Sequence, residues 1–296
     1  MELRVLQYFL AVARENSISG AAEFLHLSQP TLSRQLKDLE EELGKQLFIR
    51  GNRRITLTEE GMILRKRAEE VIELIQKAED EIAASDDMLA GDIVIGAGET
   101  DGNRFLIKAM NAMQQDYPLV HFHIISGDRT MIAEAIDRGT IDFGIVFGNT
   151  DLAKYDSISV PYKDTWGVLM RRDAPLAKKD FLTADDLRDK PLIISRQAFQ
   201  NMLFKNFFHC EQEKLNIVAT YSLLFNGSLM VAEGLGYAIC FDKLINVSGD
   251  SNLCFRPLEP KIEDHMSIIW KKYQVFSKPT QKFLQKLQDI NAYDER

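Results

Sequence analysis

The chain has 296 residues, 45% of them hydrophobic, which suits two or three globular domains with real cores. It contains no run of about 18 apolar residues, which excludes a membrane-spanning helix. Its opening MELRVLQYFL enters an amphipathic helix without a signal-peptide cleavage pattern, so a cytoplasmic location is expected. The net charge of −8, from 36 Lys and Arg against 44 Asp and Glu, excludes nucleic-acid binding by bulk charge and leaves only a local basic footprint.

In chain order, Ser19 is placed to cap a short helix through Ala21, Ala22 and Phe24, and the two alanines let a second helix approach closely. His26 and Leu27 make the turn. Ser28 takes the next N-cap position, and Pro30 falls in the first turn, where its missing N–H costs nothing. Over helix 28–40, Leu32, Leu36 and Leu39 share one face. The opposite face carries Pro30, Ser33, Arg34 and Lys37, with Gln29 and Thr31 at its N-terminal end. Gln pairs with adenine, Arg with guanine, and hydroxyls with phosphate. The N-terminal end of such a helix is the part that enters the major groove. Residues 47–58 read as a hairpin turning at Gly51-Asn52, whose tip brings Arg53 and Arg54 to a minor groove or to phosphates. Between Ser28 and Arg54 six basic residues face four acidic ones. That modest footprint fits a protein that gains affinity by dimerising on two half-sites.

From Thr58, a plausible N-cap, the pattern is helical to about Asp87. Leu64, Ala68, Val71, Ile75, Ala78 and Ile82 form a heptad seam, which favours pairing with a second copy over packing on the chain's own second domain. Gly91-Asp92 breaks this helix. Strands at 93–96, 120–125 and 143–147 then alternate with helices at 103–115 and 131–138. A second set follows, with strands at 166–170, 192–194 and 237–240 and helices at 184–188, 199–214 and 227–233. Strand 267–270 and helix 280–290 close the chain. This is the rhythm of a parallel sheet covered on both faces.

Ser17, Ala21-Ala22, Leu27-Ser28-Gln29-Pro30, Ser33-Arg34-Gln35-Leu36, Leu39-Glu40, Leu43-Gly44, Leu47-Phe48, Arg50, Leu57-Thr58 and Gly61 together resemble the LysR-type transcriptional regulators. The resemblance is specific over the first 61 residues and looser beyond. It implies an α/β protein with an N-terminal winged helix-turn-helix (1–58), a long dimerising linker helix (59–90) and a C-terminal two-lobed domain of the periplasmic-binding-protein type (91–296). Lobe I is expected at about 91–161 and 265–296, and lobe II at about 162–264. It also implies double-stranded DNA with an inverted-repeat operator as partner, a homodimer and in most members a homotetramer, RNA polymerase as a further partner, and an unidentified small-molecule effector.

Ligands in such folds sit beyond the carboxyl ends of strands, against helix N-termini. That selects Gly98, Glu99 and Thr100; Ser126, Gly127 and Asp128; Phe147 with Gly148; Ser195, Arg196 and Gln197; and Phe225 and Asn226 through Ser228. Thr100 leads, because the resemblance implies a hydroxyl at that turn. Arg196 suits an effector carboxylate, while Glu99, Asp101 and Asp128 suit a cationic or polyol ligand, so the effector's charge stays open. Gly234-Leu235-Gly236-Tyr237 fits the family's glycine turn, but Phe241-Asp242 stands where many members carry proline.

Nothing in the sequence marks an enzyme or a cofactor site: there is no nucleophile elbow, phosphate loop or metal motif. Gly96-Ala97-Gly98 lacks the third glycine of a dinucleotide fingerprint, and His121 with His123 are too few to ligate a metal. Cys210 beside His209 is read as an inert thiol, like Cys240 and Cys254. The alternative to an effector-responsive regulator is an architectural DNA-binding protein that needs no small molecule.

Overall fold

The computed structural model describes residues 1–51, 55–83, 89–148, 153–196, 206–209 and 212–294. The chain divides into two compact units, Met1–Ala84 and Ser85–Arg296.

In the first unit, helix α1 (Leu3–Glu15) stops at Asn16, whose left-handed φ of 51° turns the chain. Helix α2 (Ile18–Phe24) starts at Ser17, which corrects the expected cap at Ser19. Residue 17 is extended, so its side chain turns back and accepts the Gly20 N–H at 3.2 Å, while Ser19 lies inside the helix. After the positive-φ turn at His26, helix α3 (Gln29–Leu43) is capped by Ser28 and runs until Gly44 closes it with a φ of 64°. Leu32, Leu36 and Leu39 are buried with Phe9, Val12, Ala21, Ala22 and Phe48. Burial of each leucine contributes about 1.5–3 kcal/mol.

Strands β1 (Phe48–Arg50) and β2 (Ile55–Leu57) pair antiparallel as the wing. Glu40 fixes the wing to α3, because its carboxylate accepts the N–H groups of Leu47 at 2.7 Å and Phe48 at 3.1 Å. Helix α4 (Glu59–Ala83) begins at Thr58, whose hydroxyl accepts the Gly61 N–H at 2.9 Å and donates to the Gln46 carbonyl at 2.7 Å. The start of its apolar seam is used within the unit: Leu64 packs on the same core, Ala68 is buried, and α1 lies along α4. This narrows the expected pairing seam to its later part, where Val71 is 40% and Ile82 85% exposed.

The second unit is built on one nine-stranded sheet. Its elements are β3 (Gly91–Ala97), α5 (Asn103–Asp116), β4 (Val120–Ser126), α6 (Arg129–Arg138), β5 (Phe143–Phe147), β6 (Tyr155–Arg171), α7 (Ala184–Leu187), β7 (Leu192–Ser195), β8 (Ile217–Tyr221), α8 (Leu224–Ala232), β9 (Tyr237–Phe241), β10 (Leu253–Pro257), β11 (Glu263–Lys271) and α9 (Lys278–Asp294). The order is β4-β3-β5-β11-β6-β9-β7-β8, with β10 also paired to β6. The sheet is mixed, which corrects the all-parallel expectation. The β4-β3-β5 and β8-β7-β9 groups are parallel, but β6 and β11 run antiparallel between them. The expected helix 199–214 falls largely outside the described residues; 206–208 form a helical turn and Gln212–Lys214 a 3-10 turn.

Each lobe buries apolar side chains on both faces of its part of the sheet, and the larger core of each flanks the crossing strands. One gathers Ile93, Ile95, Phe143, Ile268 and Phe283, so α9 returns to the lobe of β3 and β5. The other gathers Trp166, Val168, Leu192, Phe208 and Ile239. The single strand β6 serves both, pairing with β11 through residues 155–165 and with β9 and β10 through 166–171. A bulge between His265 and Ser267 breaks the β6–β11 register where the chain passes from one lobe to the other.

Gly61 tests how the wing seats α4. A Cβ there would lie 2.2 Å from the Leu47 carbonyl oxygen, a backbone atom that has no room to give. Gly61→Ala is expected to destabilise the first unit by about 1–3 kcal/mol in chemical denaturation. An unchanged midpoint would show that α4 does not bear on the wing as described.

Candidate functional site

On α3 the burial of three leucines forces the other face outward. Gln29, Pro30, Thr31, Arg34 and Lys37 are exposed and Ser33 is half-buried. Ser28 shapes the leading edge: its hydroxyl accepts the Thr31 N–H at 3.3 Å and lies 2.7 Å from the Thr31 hydroxyl. Lys37 pairs with Glu41 at 3.2 Å across an exposed turn, a contact that a phosphate can replace at little cost. Seven of the nine residues expected to read DNA therefore share one accessible edge; Arg53 and Arg54 lie outside the described residues.

In the second unit a cleft of about 550 Å³ lies between the two lobes. Of the residues selected from sequence, Gly98, Glu99, Asp128, Phe147, Gly148, Ser195 and Arg196 line it. Thr100 is placed differently. It is buried, its hydroxyl donates to Asp164 Oδ2 at 2.6 Å and accepts the Gly102 N–H at 2.8 Å, and it stands behind the wall. Ser126, Gly127, Phe225 and Asn226 do not line the cleft either: α8 starts at Leu224, which turns Phe225 out to solvent. Gln197 lies outside the described residues.

More of the wall comes from Phe241, which the sequence marks only as a departure from the family's proline, and from residues that the sequence does not single out. Trp166, Tyr221, Leu224, Phe241 and Asp264 line the cleft, with Arg129 at its side. Phe241 packs between Trp166, at 4.2 Å between ring centroids, and Phe147, at 5.1 Å, with its ring tilted by 50° and 45° to theirs. Tyr221 turns its hydroxyl away to donate to the Ile239 carbonyl at 2.7 Å. The Arg129 guanidinium donates to the Phe147 carbonyl at 3.0 Å. Glu99 crosses the cleft, and its carboxylate accepts the N–H of Leu224 at the start of α8.

Asp264 on β11, in the wall itself, lies opposite Asp164 on β6, which sits behind it. Burial pushes the Asp164 carboxyl up to about 6; the Thr100 hydroxyl opposes the shift, and Asp264 and Asp101 add to it. Burial also raises Asp264, against the His265 N–H that favours its charged form. Cys240 is driven far upward by burial and Cys254 less so, which leaves both as poor nucleophiles; Cys210 lies outside the described residues.

A capped helix with a polar leading edge, a wing beside it and a separate two-lobed unit around a cleft define a class: DNA-binding regulators with a ligand-sensing domain. The chain belongs to the LysR family of that class. Residues 3–62 match the bacterial regulatory helix-turn-helix protein, lysR family, and residues 86–291 match the LysR substrate binding domain. It is a LysR-family DNA-binding transcriptional regulator. It is 28% identical over 293 residues to the HTH-type transcriptional regulator BsdA of Bacillus subtilis (strain 168), covering 96% of this chain and 99% of that one. It is 33% identical over 190 residues to a probable RuBisCO transcriptional regulator of Nostoc sp. (strain PCC 7120 / SAG 25.82 / UTEX 2576), covering 63% and 55%. The fold is shared with full-length CbnR in complex with its target DNA, with a TM-score of 0.77 at 19% identity over 98% of this chain and 100% of that one. Among the described residues no helix is long and apolar enough to cross a membrane.

The Asp164–Asp264 pair gives a pH test. Asp164 binds its proton more tightly in the folded chain than in the unfolded one, so the folded state holds more protons between about pH 4 and 6. Its contribution therefore grows less favourable as pH rises through that window. Asp164→Asn is expected to flatten the fall in stability between pH 4 and 6 and to match or exceed the wild type at pH 7, by on the order of 1–3 kcal/mol. A steeper fall or a loss of stability at pH 7 would contradict the burial argument.

Proposed function

We propose that this regulator reads an inverted-repeat operator with α3 in the major groove, as a homodimer or homotetramer. The single observation that carries the reading is the α3 edge, where Gln29, Thr31, Arg34 and Lys37 stand exposed over a fully buried leucine face. Beyond the Ser28 cap on Thr31 and the exposed Lys37–Glu41 pair, that polar edge adds little to the helix's own fold, and the residue types suit base edges and phosphates. The later part of the α4 seam, with Val71 and Ile82 exposed, supports pairing with a second copy, which would set two recognition helices a helical turn of DNA apart. RNA polymerase is a further partner in this reading, and the protein acts in the cytoplasm without catalysing a reaction.

In the same reading the interlobe cleft takes a small-molecule effector that biases lobe closure and thereby the operator complex. The cavity of about 550 Å³ is of the size that small-molecule sites occupy, and it is walled by both lobes. Residues of that site are Gly98, Glu99, Asp128, Phe147 and Arg196 together with Trp166, Tyr221, Phe241 and Asp264.

Arg34→Ala tests the reading. It is expected to weaken operator binding by about 1–3 kcal/mol, five- to over a hundredfold at fixed salt, in fluorescence anisotropy, with no change in unfolding temperature. Unchanged affinity would remove α3 from the role given to it.

A further inference from the structure

The charges around the cleft are unevenly used. Three helices begin at its edge, and their N-termini are where an anionic ligand would be held. Each already has an oxygen of this chain in place. Thr100 takes the Gly102 N–H before α5, Asp128 takes the Met131 N–H of α6 at 2.8 Å, and Glu99 takes the Leu224 N–H of α8 from across the cleft. At the two helix starts that line the cleft, those of α6 and α8, a carboxylate of this chain already occupies one N–H and sets a negative charge beside it.

Asp264 is the opposite case. It lines the cleft, is 5% exposed, and faces uncharged donors, the His265 N–H at 3.1 Å together with the Gly148 N–H and the Trp166 indole, so that no cation among the described residues balances it. Its neighbour Asp164 is 1% exposed and has a second oxygen, Oδ1, without a hydrogen-bond partner. Buried carboxylates in this condition call for a proton or a cation. The wall around Asp264 is aromatic, with Trp166, Phe241 and Phe147 in one cluster of tilted rings, and ring faces attract organic cations. The cations near by are otherwise engaged. Arg129 donates to the Phe147 carbonyl, Lys243 donates to the Tyr162 hydroxyl at 3.4 Å, and Arg196 is exposed at the rim.

We propose that the effector carries an organic ammonium group, seated against Asp264 and the faces of Trp166 and Phe241. This rests on the reading of the cleft as the effector site. Glu99 and Asp128 add negative potential at the mouth, which steers a cation inward.

The test uses the full-length protein with 1,4-diaminobutane, benzylamine and tetramethylammonium as chlorides, against succinate, benzoate and sodium chloride at matched ionic strength. Thermal unfolding and Trp fluorescence are read together, since Trp166 is one of two tryptophans in the chain. An ammonium probe is expected to raise the unfolding temperature by several degrees and to change the fluorescence, while the carboxylates do neither. Asp264→Asn and Phe241→Leu are each expected to weaken the response at least tenfold; if Asp264→Asn does not fold, Phe241→Leu carries the comparison. A response to the carboxylates and not to the amines overturns the ligand class and leaves the effector cleft standing. A response to no amine also overturns it, and the effector reading falls with it if a broad metabolite screen leaves operator affinity unchanged. Equal response of wild type and variants overturns the seat at Asp264.

Discussion

The regulatory unit depends on the antiparallel pairing of β6 with β11. The chain passes between the lobes on these two adjacent strands, so both cores hang from one ladder. A long ladder is stiff along its strands and yields where its register breaks, which here is the bulge between His265 and Ser267. The same stretch carries Asp164, Asp264 and Trp166, so the register break lies beside the wall of the cleft that Trp166 and Asp264 form. In the proposed reading, a group bound against Asp264 would bear directly on the ladder that joins the lobes.

A parallel economy governs the first unit. Three leucines on α3 go inward with Phe9 and Phe48, and that burial dictates which residues face out. The acidic residues of α3 do not simply dilute a basic footprint. Glu40 holds the first two residues of the wing by their N–H groups, so one carboxylate fixes the angle between helix and hairpin. The polar edge is held by the Ser28 cap at one end and released by Gly44 at the other.

Much of this was legible in the sequence because local chemistry decides it. Ser28, Pro30 and the leucine spacing specify α3 without reference to the rest of the chain, and alternating Ile55 and Leu57 specify the second wing strand; the expected turn at Gly51-Asn52 reaches outside the described residues. Ser17 and Ser19 are both acceptable caps by residue type, and only the extended backbone at 17 chooses between them. β6 was read as five residues instead of 17, because Pro161 and the charged run around Lys163 and Asp164 look like a connection. Strands β8 and β10 carry no clear signal in the sequence; β8 has mixed burial and β10 ends at Pro257 on the edge of a local pairing. The cleft was legible where strand ends face it, at Glu99, Asp128 and Phe147. Trp166, Phe241 and Asp264 sit within strands, where an aromatic reads as core, and only the lobe crossing turns them toward the cavity. Thr100 was favoured on family grounds, yet Asp164, 64 residues away, takes its hydroxyl.

The most direct measurement is capture of sheared genomic DNA from the source organism on the purified full-length protein, followed by sequencing, with and without cell extract. The account predicts enrichment of an inverted repeat at a few intergenic sites, altered by the small molecules in the extract. Uniform recovery of DNA under both conditions would contradict it, because neither a specific reader in α3 nor an effector acting through the cleft is compatible with that result.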